Sequence, residues 1–438
     1  MKKIYLIVLL ILAILSSCQS SDKGFVRVEG NDFKIDGESY NYVGTNMWYG
    51  PLLGMATEPG DRDRLIKELD FLKSIGVTNL RIMGASEKTE YDNSVTPAFQ
   101  TAPGIYNEDV LVGLDFCLAE MAKRDMKAVI YLGNNWIWTG GFSQLVAWAN
   151  DEINPNPFLP KYQWNDFMNY SARLYSDEKA QKLYFDYVKM LVSRKNTVTG
   201  KMYKDDPAIM SWQLANEPRP GAGNKGKKNF SDFIKWVGKS ANLIKSLDRN
   251  HLVSTGNEGL AGSIESEETF KAIHQFESID YITTHLWILN WGWFDPHNAE
   301  KSYPIAMEKA RDYLDKHIAM SVEINKPLVI EEFGIPRDGH SYSLDATTDY
   351  RDKYYEVLFN KIYENSKVNG PMAGSNFWAF GGFGKPSNPD ENESKWNKGD
   401  DFTGDPPQEP QGRNAVFVGD KTTIELLQKY AEKMNELK

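Results

Sequence analysis

The sequence predicts an α/β protein that folds as a single-domain (β/α)8 barrel, with long loops at the C-terminal ends of its strands. Eight short apolar runs alternate with longer amphipathic helical patterns, which is typical of a parallel sheet. No glycine-rich phosphate turn follows the first run, as an open doubly wound sheet would require. Several connections are too long for ordinary strand-to-helix loops, and barrels carry their longest loops at these strand ends.

The strands are predicted in chain order at residues 42–46, 78–83, 128–132, 210–214, 252–255, 281–284, 328–331 and 374–377. Helices are predicted between them, for example at 62–75, where Leu65, Leu69 and Leu72 form one stripe that ends before Gly76. Further helical patterns cover 303–324, 350–365 and 422–437. Residues 25–28 and 33–35 are predicted to form a hairpin that closes the bottom of the barrel.

Three connections, at 133–178, 287–299 and 380–414, follow predicted strand ends. Because the C-terminal face is where barrel enzymes build their clefts, these segments are expected to form the walls of a groove.

The N-terminus carries Lys2 and Lys3, an apolar run at 4–15 and then Leu15-Ser16-Ser17-Cys18. This pattern resembles a bacterial lipoprotein signal, which implies a signal peptide at 1–17 and a lipid on Cys18. We therefore expect a tether at 18–27, a folded domain at 28–438 and an extracytoplasmic protein anchored to a bacterial membrane only through its lipid. The second cysteine, Cys117, lies in an apolar helical pattern and is expected to be an inert core residue.

The net charge is −10 and the isoelectric point is near 5.3. An acidic field disfavours nucleic acids and anionic polymers as partners, so a neutral substrate fits better. The aromatic share of 13% would suit a carbohydrate cleft, although a tryptophan-rich core has the same composition. The six histidines show no metal-ligand spacing, so no metal or organic cofactor is expected, and the chain is expected to be a monomer.

Two acidic sites end predicted strands. One apolar strand runs into Asn216-Glu217-Pro218, and another runs into Glu331-Glu332-Phe333-Gly334. Two carboxyl groups on one rim can cleave a glycosidic bond with retention, one as the acid/base and the other as the nucleophile. Since side chains alternate along a strand, only one of Glu331 and Glu332 is expected to point into the barrel mouth.

These motifs and their order resemble glycoside hydrolase family 5, in which Asn-Glu on strand four supplies the acid/base and a glutamate on strand seven the nucleophile. The resemblance implies that Glu217 is the acid/base and that Glu332, immediately before the aromatic-glycine pair, is the nucleophile. We expect Glu217 to have a raised pKa because of its neighbouring carboxylate and its apolar surroundings.

The resemblance extends to three more strand ends, and it implies supporting roles there and for Asn216. Arg81 would bond Glu332, Asn216 would donate to the sugar 2-hydroxyl, His285 would orient the acid/base, and Trp378 would stack under the sugar. Many relatives carry Tyr where this chain has Trp287, so either Trp287 binds sugar or the nucleophile is supported differently.

Within the family, the resemblance is closest to bacterial endo-β-1,4-mannanases, through the segments 44–50, 291–293 and 404–412. Trp48 and Trp136 would add aromatic surface for mannan, glucomannan or galactomannan. An endo-β-1,4-glucanase, an exo-β-mannosidase and a non-catalytic surface glycan-binding lipoprotein remain alternatives, because the carboxylate pair does not specify which sugar is bound or how the groove ends.

Overall fold

A computed structural model describes residues 23–387 and 395–437. Its centre is an eight-stranded sheet in which every pairing is parallel. The strands are β1 (Tyr42–Asn46), β2 (Asn79–Met83), β3 (Lys127–Tyr131), β4 (Ile209–Gln213), β5 (Leu252–Ser254), β6 (Ile282–Leu286), β7 (Leu328–Phe333) and β8 (Met372–Phe377). All eight predicted strands are present, with bounds that differ by at most two residues.

Each strand pairs with its neighbours in the chain, and β8 pairs with β1. A parallel bridge between Ser254 and Tyr281 joins β5 to the chain entering β6 and completes the circle. The predicted (β/α)8 barrel is therefore confirmed.

One main helix follows each strand and packs on the outside of the barrel. These helices are α1 (Arg62–Ser74), α2 (Glu108–Ala122), α3 (Glu178–Val192), α4 (Phe230–Leu247), α5 (Glu267–His274), α6 (Ala299–Ile324), α7 (Asp349–Lys367) and α8 (Lys421–Asn435). In α1, Leu65, Leu69 and Leu72 are all buried, as their spacing predicts. Cys117 is buried in α2, and burial raises the pKa of its thiol to about 12, which makes it unreactive.

The bottom of the barrel is closed by a three-stranded antiparallel sheet, Val26–Glu29, Asp32–Ile35 and Glu38–Ser39. Val26 and Phe33 pack with inward residues of the barrel in a second, smaller core. Phe25 and Val26 are buried, so the folded part begins before residue 28, which was the predicted start of the folded domain after the tether. Residues 1–22, with the predicted signal peptide and Cys18, lie outside the described part.

The long connection between β3 and α3 contains structure of its own. It forms the helices Gly141–Asn150 and Trp164–Ser171 and the short 3-10 helices Ile137–Thr139 and Ala172–Tyr175. The remaining short elements are distributed over the other connections: Gly50–Leu53, Gln100–Ala102, Ile105–Tyr106, Tyr203–Asp205, Gly223–Lys228, Ala261–Ser263, Pro296–Asn298, Asp338–His340, Phe380–Gly382 and Val416–Phe417. Among the described helices, none has both the length and the apolar character needed to cross a membrane.

The register between β6 and β7 is irregular where the predicted catalytic acid lies. Thr284 pairs with Ile330, whereas the next residue, His285, pairs with Glu332. Glu331 is thus an extra residue on β7, in the manner of a bulge. This irregularity changes the simple alternation of side chains that the sequence predicts.

Candidate active site

Arg81, in the middle of β2, bonds several residues at the mouth of the barrel. Its Nε donates to Gln213 (2.7 Å), Nη1 to Asn46 (3.0 Å) and Glu332 (2.5 Å), and Nη2 to Asn216 (2.7 Å). The guanidinium is fully buried, so each of these hydrogen bonds replaces one that the charged group would make with water in the unfolded chain. The ion pair with Glu332 is therefore enclosed as well.

Glu217 follows β4 and has a left-handed backbone conformation, with φ of 50°. This conformation is unfavourable for a residue with a Cβ, and such strain concentrates at functional sites. The Glu217 side chain is buried and accepts hydrogen bonds from His285 Nδ1 (2.6 Å) and from the indole Nε1 of Trp136. His285, predicted to orient the acid/base, therefore contacts it directly.

The two predicted catalytic acids face each other across a short gap. One carboxylate oxygen of Glu217, one of Glu332 and a ring nitrogen of His285 all lie within 4.8 Å of one another. Among the described residues, this trio has the arrangement of a metal site. A cation there would be repelled by Arg81 and by protonated His285, so the trio does not suit a resident metal.

Glu331 is also inside the barrel, contrary to the prediction that only one of the two adjacent acids points inward. It lies below Glu332, where it accepts a hydrogen bond from Gln213 (2.6 Å) and lies 3.7 Å from Arg81. The bulge at β7 is the reason that both side chains face inward. Only Glu332 is brought close to Glu217.

The protonation of Glu217 differs from the expectation. Burial raises the pKa of this carboxyl, but the hydrogen bond and charge of His285, together with the charge of Arg219, outweigh burial and lower the pKa to about 2. Conversely, burial lowers the pKa of His285, but its two carboxylate neighbours raise it to about 10. The predicted rise in the pKa of Glu217 is therefore wrong for the free protein, where His285 holds the shared proton.

Asn216 is placed beside the acid/base, as predicted. Its Oδ1 accepts the bond from Arg81, and its Nδ2 donates to Asn134 Oδ1 (3.1 Å). Asn134 and its neighbour Trp136 both follow β3, so this connection contributes two residues to the site. The amide of Asn216 is thus oriented from both sides.

Trp378, just after β8, and Trp287, just after β6, contact each other edge to face, with ring centroids 6.2 Å apart. The indole Nε1 of Trp378 is buried and has no partner among the described residues. The described polar contacts of Glu332 come from Arg81 and His285. The two alternatives for Trp287, sugar binding or a different support of the nucleophile, both stay predictions.

Trp48 does not line the cleft, contrary to the prediction. It is 1% exposed, and its Nε1 donates to the carbonyl of Gly404 (3.0 Å). Its ring contacts Trp138, which in turn contacts Trp378. Trp48 therefore supports the cleft from below, because the connections around it cover its ring.

Glu409 is not among the predicted site residues, although it lies in the segment 404–412 that carries the resemblance to mannanases. Burial and the charges of Asp405, Glu332 and Glu217 together raise the pKa of this carboxyl to about 7, although the charge of Arg413 opposes the rise. Its loop is held by Asp405, whose carboxylate accepts backbone N–H bonds from Gly412 (2.8 Å), Asn414 (2.8 Å) and Ala415 (3.2 Å). No pattern in the sequence distinguishes Glu409 from a solvated loop acid.

An ion pair that the sequence did not predict also lies beside the acid/base. Arg219 forms an ion pair with Glu258 and lies over the ring of Trp136, 5.2 Å from its centroid. Burial raises the pKa of Glu258 to about 7, an effect that Arg219 opposes. The only sequence signal was the position of Arg219, two residues after Glu217.

Two closely spaced carboxylates at the C-terminal mouth of a (β/α)8 barrel, one bonded to arginine and the other to histidine, define a glycoside hydrolase site. Residues 23–438 match the family model described as GH family 5 beta-mannosidase-like, so the chain belongs to glycoside hydrolase family 5. The family predicted from the motifs is therefore confirmed.

Individual relatives agree with the family. A protein of Arabidopsis thaliana named putative mannan endo-1,4-beta-mannosidase 4 is 31% identical, over 86% of this chain and 89% of its own length. The solved structure of a family 5 mannosidase from Rhizomucor miehei is 35% identical, with a TM-score of 0.86 over 95% of this chain and 99% of its own. An endo-1,4-beta-D-mannanase from Thermotoga petrophila is 25% identical, with a TM-score of 0.65 over 90% and 99%.

The proton shared by Glu217 and His285 generates a prediction. In the His285→Gln variant, Glu217 loses the cation that lowers its pKa and becomes the group that must itself hold the proton. In the wild type, activity at high pH should be lost as the Glu217–His285 pair loses its proton, and the pKa of His285 in this pair is raised to about 10. In the variant, activity should instead be lost as Glu217 itself loses its proton. We expect the alkaline limb of the kcat/KM profile to move to lower pH by at least one unit, about a tenfold change in proton affinity. An unmoved alkaline limb would show that His285 does not share the proton.

Proposed function

We propose that the protein is a retaining endo-β-1,4-mannanase that hydrolyses β-mannan, glucomannan or galactomannan by double displacement. The observation that carries this proposal is the gap between Glu217 and Glu332, whose carboxylate oxygens lie within 4.8 Å. Retaining glycosidases hold their two carboxyl groups about 5 Å apart, whereas inverting enzymes separate them by roughly 6.5–9.5 Å to admit water.

In the first displacement, the carboxylate of Glu332 attacks the anomeric carbon as the bond to the leaving oxygen breaks. Arg81 orients this carboxylate through a direct bond. The proton held by Glu217 and His285 passes through Glu217 to the leaving oxygen, since these two groups are joined by a 2.6 Å hydrogen bond. The products of this step are a covalent glycosyl-enzyme and the shortened leaving chain.

In the second displacement, Glu217 and His285 together take a proton from water, and the resulting hydroxide oxygen attacks the anomeric carbon. Glu332 departs as a carboxylate, and the sugar regains its β configuration. The amide of Asn216, which also donates to Asn134, would donate to the sugar 2-hydroxyl, and the indole N–H of Trp378, which has no partner among the described residues, would donate to another sugar oxygen. Both contacts would favour the transition state by orienting the ring.

The choice of mannan is supported by the relatives, which carry names of mannan endo-1,4-beta-mannosidases at 30–31% identity. An acidic chain with an aromatic cleft also suits a neutral polysaccharide. Exo-β-mannosidase action is the second candidate, because the Rhizomucor miehei structure at a TM-score of 0.86 is titled a mannosidase.

Product analysis separates these activities. The purified protein is incubated with unsubstituted mannan, galactomannan and carboxymethyl cellulose, and the products are resolved by chain length over time. Endo action predicts early release of mixed short manno-oligosaccharides and a rapid fall in viscosity. Early release of mannose alone would establish the exo alternative, and preferential cleavage of carboxymethyl cellulose would overturn the choice of mannan.

Azide rescue assigns the two carboxylates. Glu217→Ala removes the proton donor and the base, so mannan should be cleaved at least a hundredfold more slowly. An aryl β-manno-oligoside with an acidic leaving group needs no such proton, and its glycosyl-enzyme should still form. We expect azide to restore turnover and to yield a β-glycosyl azide, detected by nuclear magnetic resonance.

Glu332→Ala is the matched variant, and its rescue with azide should give the α-glycosyl azide by a single displacement. The opposite pair of configurations would exchange the roles of Glu217 and Glu332. No rescue of Glu217→Ala in a folded protein would make Glu217 a binding residue.

We also propose, from the N-terminal sequence, that the protein is a bacterial lipoprotein held outside the cytoplasm by lipid on Cys18. The basic start, the apolar run and Leu15-Ser16-Ser17-Cys18 support this proposal. Such an anchor would leave the barrel free to act on polysaccharide outside the cell. The described domain, which begins its first strand at Val26, would follow a tether of only a few residues.

Replacement of the anchoring cysteine tests the lipid. We expect Cys18→Ala, expressed in a bacterial host, to yield active enzyme that has left the membrane fraction, because the barrel does not need the lipid to fold. Cys117→Ala, at the buried second cysteine, is the matched control and should remain membrane-bound. Equal membrane recovery of the Cys18→Ala and wild-type proteins, measured by fractionation and mannanase assay, would refute lipid anchoring.

A further inference from the structure

Trp136 connects the acid/base to an aromatic surface outside the catalytic centre. Its indole N–H bonds Glu217, and its ring contacts Trp164 edge to face, with centroids 5.9 Å apart. Trp164 in turn contacts Phe158, with centroids 5.3 Å apart. The three rings form a continuous series from the acid/base to the surface of the β3–α3 connection.

The outer part of this series is exposed. Trp164 is 43% exposed, and Phe158 and its neighbour Leu159 are 46% and 44% exposed. A cluster of large apolar side chains on a soluble surface commonly marks a binding site. Its continuity with Trp136 places this cluster at the rim of the catalytic cleft.

The exposed rings are also held in place. Asn156, which is buried, accepts a hydrogen bond from the backbone N–H of Phe158 (3.0 Å). Asn154, also buried, donates to Gln144 (2.9 Å) and accepts at its carbonyl from the Tyr91 hydroxyl. Phe167, in the same short helix as Trp164, is buried and stacks on Trp136. The surface is therefore preorganised, which reduces the entropy that binding must overcome.

The contact of the ring series with Glu217 indicates which part of the substrate the series would bind. The acid/base gives its proton to the oxygen of the leaving group, so a group that contacts Glu217 on the side away from Glu332 borders the leaving portion of the substrate. Trp136 contacts Glu217, whereas the described polar partners of Glu332 are Arg81 and His285. Trp164 and Phe158 continue the ring series outward from Trp136, whose catalytic contact is with the acid/base.

We propose that Trp164 and Phe158 form a binding surface for the leaving-group portion of a β-mannan chain, beyond the sugar next to the cleaved bond. This inference rests on the proposed mannanase function and adds a determinant of chain-length preference. Flat aromatic rings can stack on sugar faces, and both of these rings are partly exposed. Longer leaving chains would therefore be favoured over short ones.

The test compares two substrates in Trp164→Ala and Phe158→Ala variants. Mannohexaose has a leaving portion that can reach the surface, whereas a 4-nitrophenyl β-mannotrioside cleaved at its aryl bond has a leaving group of one ring. We expect kcat/KM for mannohexaose to fall by roughly three- to tenfold in each variant, with most of the change in KM. The value for the aryl substrate should stay within about twofold of wild type.

Two controls accompany these variants. Ile153→Ala removes an apolar side chain that is 73% exposed in the same connection, and it should leave both substrates unaffected. Trp164→Phe keeps a stacking ring and should recover most of the activity on mannohexaose. Thermal unfolding of each variant checks that the connection is still folded.

The outcomes are distinguishable from failure of the proposed function. If wild-type protein does not cleave mannohexaose, the proposed function fails and this inference falls with it. If wild-type protein cleaves it but Trp164→Ala and Phe158→Ala leave both substrates unchanged, the binding surface is overturned alone. An equal loss on both substrates would also overturn it, because the rings would then act on Glu217 through Trp136.

Discussion

The site depends on one buried guanidinium. Arg81 has no exposed surface, and from β2 it donates to Asn46, Gln213, Asn216 and Glu332, residues that lie on or just after three other strands. A buried charge is tolerated only when it is paired and its hydrogen-bonding groups are satisfied. The requirement to satisfy Arg81 therefore ties β1, β2, β4 and β7 together at the mouth of the barrel, and it places the nucleophile position at the same time.

The second constraint is the proton between Glu217 and His285. The charges of Glu217 and Glu332 also act on Glu409, whose pKa is raised to about 7 by burial first and then by Asp405 and these two acids, against the opposing charge of Arg413. Arg81 and protonated His285 offset part of this negative charge. In the free protein the proton therefore belongs to His285, with its raised pKa, and catalysis requires Glu217 to deliver it to the leaving group. A glutamate in an apolar pocket without such a cation would hold its own proton.

The long connections carry side chains of the cleft that the strands of the barrel do not supply. Asp405 holds the loop of Glu409 through three backbone N–H groups, and Asn154 and Asn156 hold the exposed aromatic surface around Phe158. These side chains satisfy backbone and amide groups that regular helices and strands would otherwise pair. The long loops can therefore hold binding and catalytic side chains in fixed positions.

By itself the sequence determined the barrel and all eight strands, and it singled out Arg81, Asn216, Glu217, His285 and Glu332, which the structure brings together. Alternating periodicity and strand-ending motifs are local properties, and they specify where each strand ends. Only the tertiary structure decided that Glu331 also faces inward, that Trp48 is covered, that Glu409 joins the acids and that Glu217 has a lowered pKa. Register, burial and pKa depend on which side chains come into contact across the barrel. Glu217 and His285, for example, lie 68 positions apart in the sequence, so their contact exists only in the folded chain.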